Sequence, residues 1–320
     1  MNDCFYNNFL EALADRFPRK SNLVNALMDI LPLKKESIYR RLRKDVPFTL
    51  EELMQIASVW NISIDNIICT NPDKTRPFHF NMIAYLDPQE ADYKLLEEYN
   101  RKLELIGRDP DGQMIEVTNS LPRSLYGRYE NLTRFFTLKW LYKYDMPEDT
   151  VVFGDVHISE RMRALDEEYV ERIHNIPKVH ELHDPRFIEH LIDDINYFRS
   201  IRLITGDEVD LLKNELMEVV DYMENIAIKG YFSDTGNKLF FYLSHIWLET
   251  DYLLCESKYL RLSLVKILER NSLISSDKKV FQKFMNMALS TKHSSVLLSD
   301  SNSLQRAEFF STQRDKIMSF

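Results

Sequence analysis

Two apolar-periodic segments follow one another across Pro32, and the shortness of the join decides how they can pack. Ser21 and Asn22 offer a cap for a helix over Leu23 to Leu31, with Leu23, Leu27, Ile30 and Leu31 on its inner face. Pro32 lacks the amide hydrogen that a continuing helix needs, so this helix stops there. A further helix is expected from about Lys34 to Lys44. A join this short does not let the two run antiparallel, so they must cross, as in a helix-turn-helix.

The second helix of the pair is also where positive charge gathers. The stretch LKKESIYRRLRKD, residues 33 to 45, holds six basic side chains against Glu36 and Asp45, in a chain whose formal net charge is −9. Ile38 and Leu42 lie four apart and can turn inward. That leaves Glu36, Ser37, Tyr39, Arg40, Arg43 and Lys44 around the opposite arc, with Lys34, Lys35 and Arg41 at its flanks. Residues 1 to 70 carry nine basic and nine acidic groups, so the acidity belongs to residues 71 to 320, with 32 against 41. A local positive face can engage a polyanion despite an acidic remainder. An isolated basic run is ordinarily a solvated helix face, and only its neighbours can argue for more.

Those neighbours are helical too. Residues 3 to 16 place Phe5, Phe9, Leu10, Leu13 and Ala14 at helical spacing. Pro47 breaks the chain again, and Thr49 with Glu52 forms a capping box for a fourth helix with inner face Leu50, Leu53, Ile56 and Ala57. Ser63 opens a short fifth helix through Ile68, and NPDKTRP, residues 71 to 77, reads as a linker.

Residues 23 to 68, and the closing IASVWNISIDNII in particular, resemble the Cro and lambda-repressor-like helix-turn-helix family. The resemblance implies a five-helix DNA-binding domain over residues 1–70 that meets duplex DNA as a dimer. By position, Lys35, Glu36, Ser37 and Arg40 match base-edge readers, while Lys34, Arg43 and Lys44 suit phosphate contacts. Met28 takes the place of a small buried residue and is expected in the core. Two departures bear on the roll of the recognition helix: Pro32 stands where the family has a turn glycine, and Arg41 with Leu42 reverses the apolar-then-polar order.

For residues 78–320 helices are expected at 89–106, 123–143, 160–175, 186–203, 207–227, 258–270, 277–289 and 302–318. MIEVT and SSVLLS read as strands, and NKLFFYLSHIWLETDYLLCES as an antiparallel pair turning at Ile246 to Glu249. The fold class expected is therefore mainly α: a five-helix domain, then a mostly helical α+β domain with a small antiparallel sheet.

Several chemistries find no support. No apolar run approaches the ~18 residues of a membrane span, and MNDCFYNNF lacks a leader pattern, so a cytoplasmic protein without membrane contact is expected. Cys4, Cys69 and Cys255 are odd in number and far apart, which fits reduced core thiols. His174, His180, His183 and His190, with Glu181 and Asp184, do not match zinc-ligand spacing, and Pro177 and Pro185 interrupt the stretch, so scattered surface and hinge histidines are expected and no metal. The carboxylates of DEVDLLKNELMEVVDYMEN read as a solvated face. No phosphate-cradling glycine loop or nucleophile motif is present, so neither catalytic residues nor a cofactor are expected. The aromatics around Tyr126, Tyr129, Phe136 and Trp140 suit a core more than a ligand pocket.

Together these features point to a bacterial-type, sequence-specific DNA-binding transcriptional regulator acting as a homodimer. Its second part would serve self-association, through the 302–318 helix or the strand pair around Phe240 to Cys255, or would sense a small-molecule or protein effector. In the alternative, the chain is an interaction protein or an unrecognised enzyme that uses the helix-turn-helix as a tether.

Overall fold

The computed structural model describes residues 2–17, 20–60, 62, 64, 67, 78–144, 151–267, 270–299 and 303–320. The chain divides into two compact units, Met1–Pro77 and Phe78–Phe320.

The first unit contains α1 (Asn2–Arg16), α2 (Lys20–Ile30), α3 (Lys35–Leu42) and α4 (Leu50–Val59). Phe9, Leu13, Leu23, Val24, Leu27, Leu31, Ile38, Phe48, Leu53 and Ile56 form its core. The capping box of α4 is present: Thr49 Oγ1 accepts from the Glu52 amide at 3.2 Å, and Glu52 Oε2 accepts from the Thr49 amide at 2.9 Å. Two expected core residues lie outside it. Met28 is 42% exposed and Leu50 is 66% exposed. Met28 follows Leu27 by one residue, which on a helix is a turn of about 100° away from the buried stripe of Leu23, Leu27 and Leu31. Leu50 opens α4 before the helix has turned onto the core. The expected fifth helix at 63–68 falls mostly outside the described residues, although Ile67 is buried with this core, and the 71–77 linker lies wholly outside them.

The second unit corrects the expected fold class, because it is a mixed α/β structure around an eight-stranded sheet. Its strands are β1 (His79–Asn81), β2 (Gln113–Thr118), β3 (Lys178–His183), β4 (Lys238–Ser244), β5 (Tyr252–Glu256), β6 (Arg261–Ile267), β7 (Asn271–Ser275) and β8 (Ser295–Leu297). The order is β1-β7-β6-β5-β2-β3-β4-β8, with β2, β3 and β4 parallel and the remaining pairings antiparallel.

Four strands, β1, β3, β6 and β7, stand where no strand is expected, and the pairing of β4 and β5 differs from the expected one. KVHELH is β3, whose inward positions carry Glu181 and His183 and so do not look apolar in sequence. Part of the expected 258–270 helix is β6, where Leu262 and Leu264 alternate toward one face. The expected hairpin does not exist: β4 lies between β3 and β8, while β5 lies between β2 and β6. Its two strands are interior, so their edges are already paired and cannot join a second copy.

The helices are α5 (Glu90–Gly107), α6 (Arg123–Tyr126), α7 (Glu130–Tyr144), α8 (Glu160–His174), α9 (Phe187–Ser200), α10 (Gly206–Lys229), α11 (Lys278–His293) and α12 (Ser303–Ser319). The expected 123–143 helix is thus two helices, parted between Tyr126 and Glu130. Parallel strands need crossovers, which α6 to α8 supply between β2 and β3 and α9 and α10 supply between β3 and β4. Alternation along each strand divides the sheet into two faces. Met114, Val179, Leu239, Phe241, Leu253 and Leu264 join the large core with helices α5 to α10 and α12, while Ile115, Val117, Leu182, Tyr242 and Leu254 pack with Phe281 and Ala288 of α11. Helix α10 ends on Gly230, whose φ of 70° is the left-handed conformation that glycine adopts without penalty. Phe310 and Ile317 of α12 are buried in this same unit, and Arg314 pairs with Asp221 at 2.8 Å and with Glu224 on α10, so the terminal helix docks onto its own domain.

The expected surface histidines are also corrected. His174 and His183 are buried. His174 Nδ1 meets Asp234 at 2.7 Å, its Nε2 meets the Tyr222 hydroxyl at 3.1 Å, and burial holds its pKa below the ordinary value. His180 stacks on Phe240 with centroids 4.5 Å apart, and burial, with Lys292 and Lys178 nearby, lowers its pKa to about 4. Cys255 is a free thiol in the core. Cys69 and the side chain of Cys4 lie outside the described residues. Among the described residues no helix is long and apolar enough to cross a membrane.

Candidate nucleic-acid interface

Helix α3 is placed by what its inner face touches. Ile38 is fully buried against the core of the first unit, and Leu42 packs partly against it. With those two residues turned in, Lys34, Lys35, Glu36, Arg40 and Arg43 face solvent, while Ser37 and Tyr39 are half-buried. Glu36, Arg40 and Arg43 are spaced by four and three residues and share one arc. Eight helical residues span about 12 Å, a length that lies within a B-DNA major groove.

The cations on this surface are not equivalent. Among the described residues, Lys34, Lys35 and Arg40 are held in neither an ion pair nor a side-chain hydrogen bond. Arg43 donates to Asp45 at 3.1 Å and to Glu36 at 3.3 Å, and these hydrogen bonds raise its pKa. One expected base reader is therefore tied to one expected phosphate contact. Lys44 lies beyond the helix end with φ of 68° and donates to Asn7 Oδ1 of α1 at 2.5 Å. Its ammonium is aimed back at α1.

Arg41, expected at the flank, belongs to the joint between helices instead. Its Nε and Nη2 donate to the two carboxylate oxygens of Glu52, each at 2.7 Å, and both side chains are 14% exposed. The same Glu52 closes the capping box of α4, so one carboxylate fixes the start of α4 and its attachment to α3. The Tyr6 hydroxyl donates to the Arg41 carbonyl and accepts from the Phe48 amide, each at 3.1 Å, and ties α1 to the end of α3. Sequence reasoning missed Tyr6 and the Arg41 to Glu52 pair because neither has a helical spacing. The one available signal was the inverted order Arg41–Leu42, which places a cation where the family pattern has an apolar group.

What remains is a helix anchored through Ile38, with Lys34, Lys35 and Arg40 exposed and unpaired among the described residues. Such an arrangement can donate hydrogen bonds to guanine edges and pair with phosphates, and it holds no group placed for covalent chemistry. Among the described residues no cluster of histidine, cysteine and carboxylate side chains is arranged to hold a metal ion. No family model, curated protein or solved structure matches this chain.

Proposed function

We propose that this chain is a sequence-specific, duplex-DNA-binding transcriptional regulator, with α3 as its recognition helix. The observation that carries this reading is the trio of Lys34, Lys35 and Arg40, exposed and unpaired among the described residues on a helix whose opposite side is anchored by Ile38. Lys35, Glu36, Ser37 and Arg40 are the proposed base-edge contacts, and Lys34, Arg43 and Lys44 the proposed phosphate contacts. Lys44 must first leave Asn7. A single recognition helix reads only a few base pairs, so the active form is a homodimer that meets two half-sites. The interior position of β4 and β5 removes them as its interface.

The test is selection of bound fragments from a genomic pool by the full chain, repeated at two salt concentrations. Enrichment of one two-fold symmetric sequence, with affinity that falls steeply as salt rises, is the expected result. Absence of binding at low salt would sink the reading in favour of a protein-interaction role.

A further inference from the structure

The second unit contains a partly open cavity of about 120 Å³, between the sheet edge built from β1, β7, β6, β5 and β2 and the helices α5, α6 and α8. Tyr85, Tyr99, Tyr126 and Tyr169 line it, together with two arginines, Arg123 and Arg270. The Arg270 side chain is wholly buried. Its Nη2 donates to both carboxylate oxygens of buried Asp166, at 2.8 and 3.1 Å, and its Nη1 donates to Thr137 at 2.9 Å. Arg123 is ion-paired with the same carboxylate.

Two guanidiniums thus share one carboxylate. The other charges of the cavity do not supply the missing negative one. Lys266 and Asp251 pair with each other at 3.3 Å. Glu116 is pushed up to about 8 by burial and by the nearby charges of Glu181 and Asp251, so it is mainly protonated at neutral pH. An uncompensated buried cation is costly, and buried donors without partners are rare in folded proteins. Here the Nε atoms of both Arg123 and Arg270 are buried and unpartnered. The planes of both guanidiniums are set by aromatic faces, Arg123 over Tyr169 at 4.5 Å and Arg270 over Tyr85 at 4.0 Å.

We propose that this cavity binds a small organic monocarboxylate, its carboxylate against Arg123 and Arg270 and a single flat apolar body among the tyrosines. One excess positive charge matches one negative charge, whereas a phosphate dianion would leave a second charge buried beside Asp166 and Asp251. The volume is close to that of engineered cavities of about 150 Å³ that hold benzene. The inference rests on the second unit alone and stands whether or not α3 binds DNA.

The experiment uses the full chain at pH 7, with benzoate, phenylacetate and 4-hydroxybenzoate as probes and benzamide and inorganic phosphate as controls, followed by calorimetric titration and thermal unfolding. At least one carboxylate should bind at one site per chain and raise the unfolding temperature of the second unit, while benzamide and phosphate do neither. Arg270→Lys, which keeps a cation beside Asp166 but loses the guanidinium fork, should weaken that binding by about tenfold or more. Leu95→Trp, at a half-buried lining position away from the ion network, should abolish it with the unliganded unfolding temperature little changed. The proposal is overturned if none of the three carboxylates binds, if benzamide or phosphate binds as well as they do, or if both variants bind like the natural chain.

Discussion

Positive charge is concentrated at two places in this protein, by opposite means. On α3, Lys34, Lys35 and Arg40 stand in solvent, unpaired among the described residues and attached to a core that does not need them. In the cavity of the second unit, Arg270 is withdrawn from water and held by Asp166, Thr137 and the face of Tyr85. A hydrated cation costs folding almost nothing, so its position can answer to an external polyanion. A buried cation is part of the fold, and only the hydrogen-bonding capacity left over is available to a ligand.

The largest effect that follows separates the two regions by stability. Asp166→Asn takes away the carboxylate that Arg123 and Arg270 share, and the uncompensated buried charge left behind should lower the stability of the second unit by about 3–5 kcal/mol. Lys35→Ala should change the first unit by less than about 0.5 kcal/mol. Denaturant unfolding that resolves the two units measures both. Equal small effects would mean that the buried network is dispensable and the contrast false.

Glu116 sharpens the comparison through pH. Its folded pKa of about 8 lies above the ordinary 4.5, so the folded state holds this proton more tightly than the unfolded one does. Its contribution is therefore fully present below pH 4.5 and is lost progressively as pH rises to about 8. Ser124 donates to this carboxyl at 3.3 Å, and Glu181, Asp251 and Lys266 are the charged groups that act on it. Glu116→Gln should be close to the natural chain in stability at pH 5 and more stable by a few kcal/mol at pH 9. A difference that does not change between those two pH values would place Glu116 in water.

Residues 40 and 41 permit the same contrast within one turn of helix. Arg40→Ala should leave unfolding unchanged, reduce operator affinity by about 1–3 kcal/mol and relax preference at one base position of each half-site. Arg41→Ala breaks the paired hydrogen bonds to Glu52 and should lower the stability of the first unit by roughly 1–2 kcal/mol, with DNA affinity reduced alike on matched and mismatched sites. If Arg41 instead controlled base preference, the roll of α3 would differ from the one described.

These contrasts also show which features a single sequence exposes. The Thr49 and Glu52 capping box, the Pro32 break and the basic run at 33–45 are local, with cause and effect within a few residues, and all three can be read directly. The cavity is the reverse. Arg123 opens α6, Asp166 sits on α8 and Arg270 precedes β7, so nothing short of the folded sheet brings them together. Strand β3 escaped notice for a related reason. Glu181 and His183 occupy inward positions and meet at 3.1 Å, so polar letters in the sequence stand for buried groups in the fold. The spacing over 258–270 predicts a helix, whereas β6 is held there by its pairing with β5 and β7. Helical spacing predicts core packing for Tyr126, which does stack on Phe136 with centroids 4.1 Å apart, but it also lines the cavity, a second role that helical spacing does not encode.

The smallest effect distinguishes cations within the α3 surface itself. Lys34 has no acidic partner among the described residues, whereas Arg43 already shares its charge with Glu36 and Asp45. A phosphate that approaches Lys34 displaces only water and counterions, but one that approaches Arg43 must compete with two carboxylates. Lys34→Gln should therefore reduce the slope of log affinity against log salt by about 0.9, the value for one neutralised phosphate on duplex DNA. Arg43→Gln should reduce it by less, and Glu36→Gln, which releases Arg43 from one of its two partners, should increase it. Binding isotherms for the three variants between about 50 and 200 mM salt make the comparison. If Lys34→Gln leaves the slope unchanged while Arg43→Gln lowers it by a full phosphate, pairing does not govern which cations reach the DNA, and the distinction between free and committed charge fails on the very surface where it was drawn.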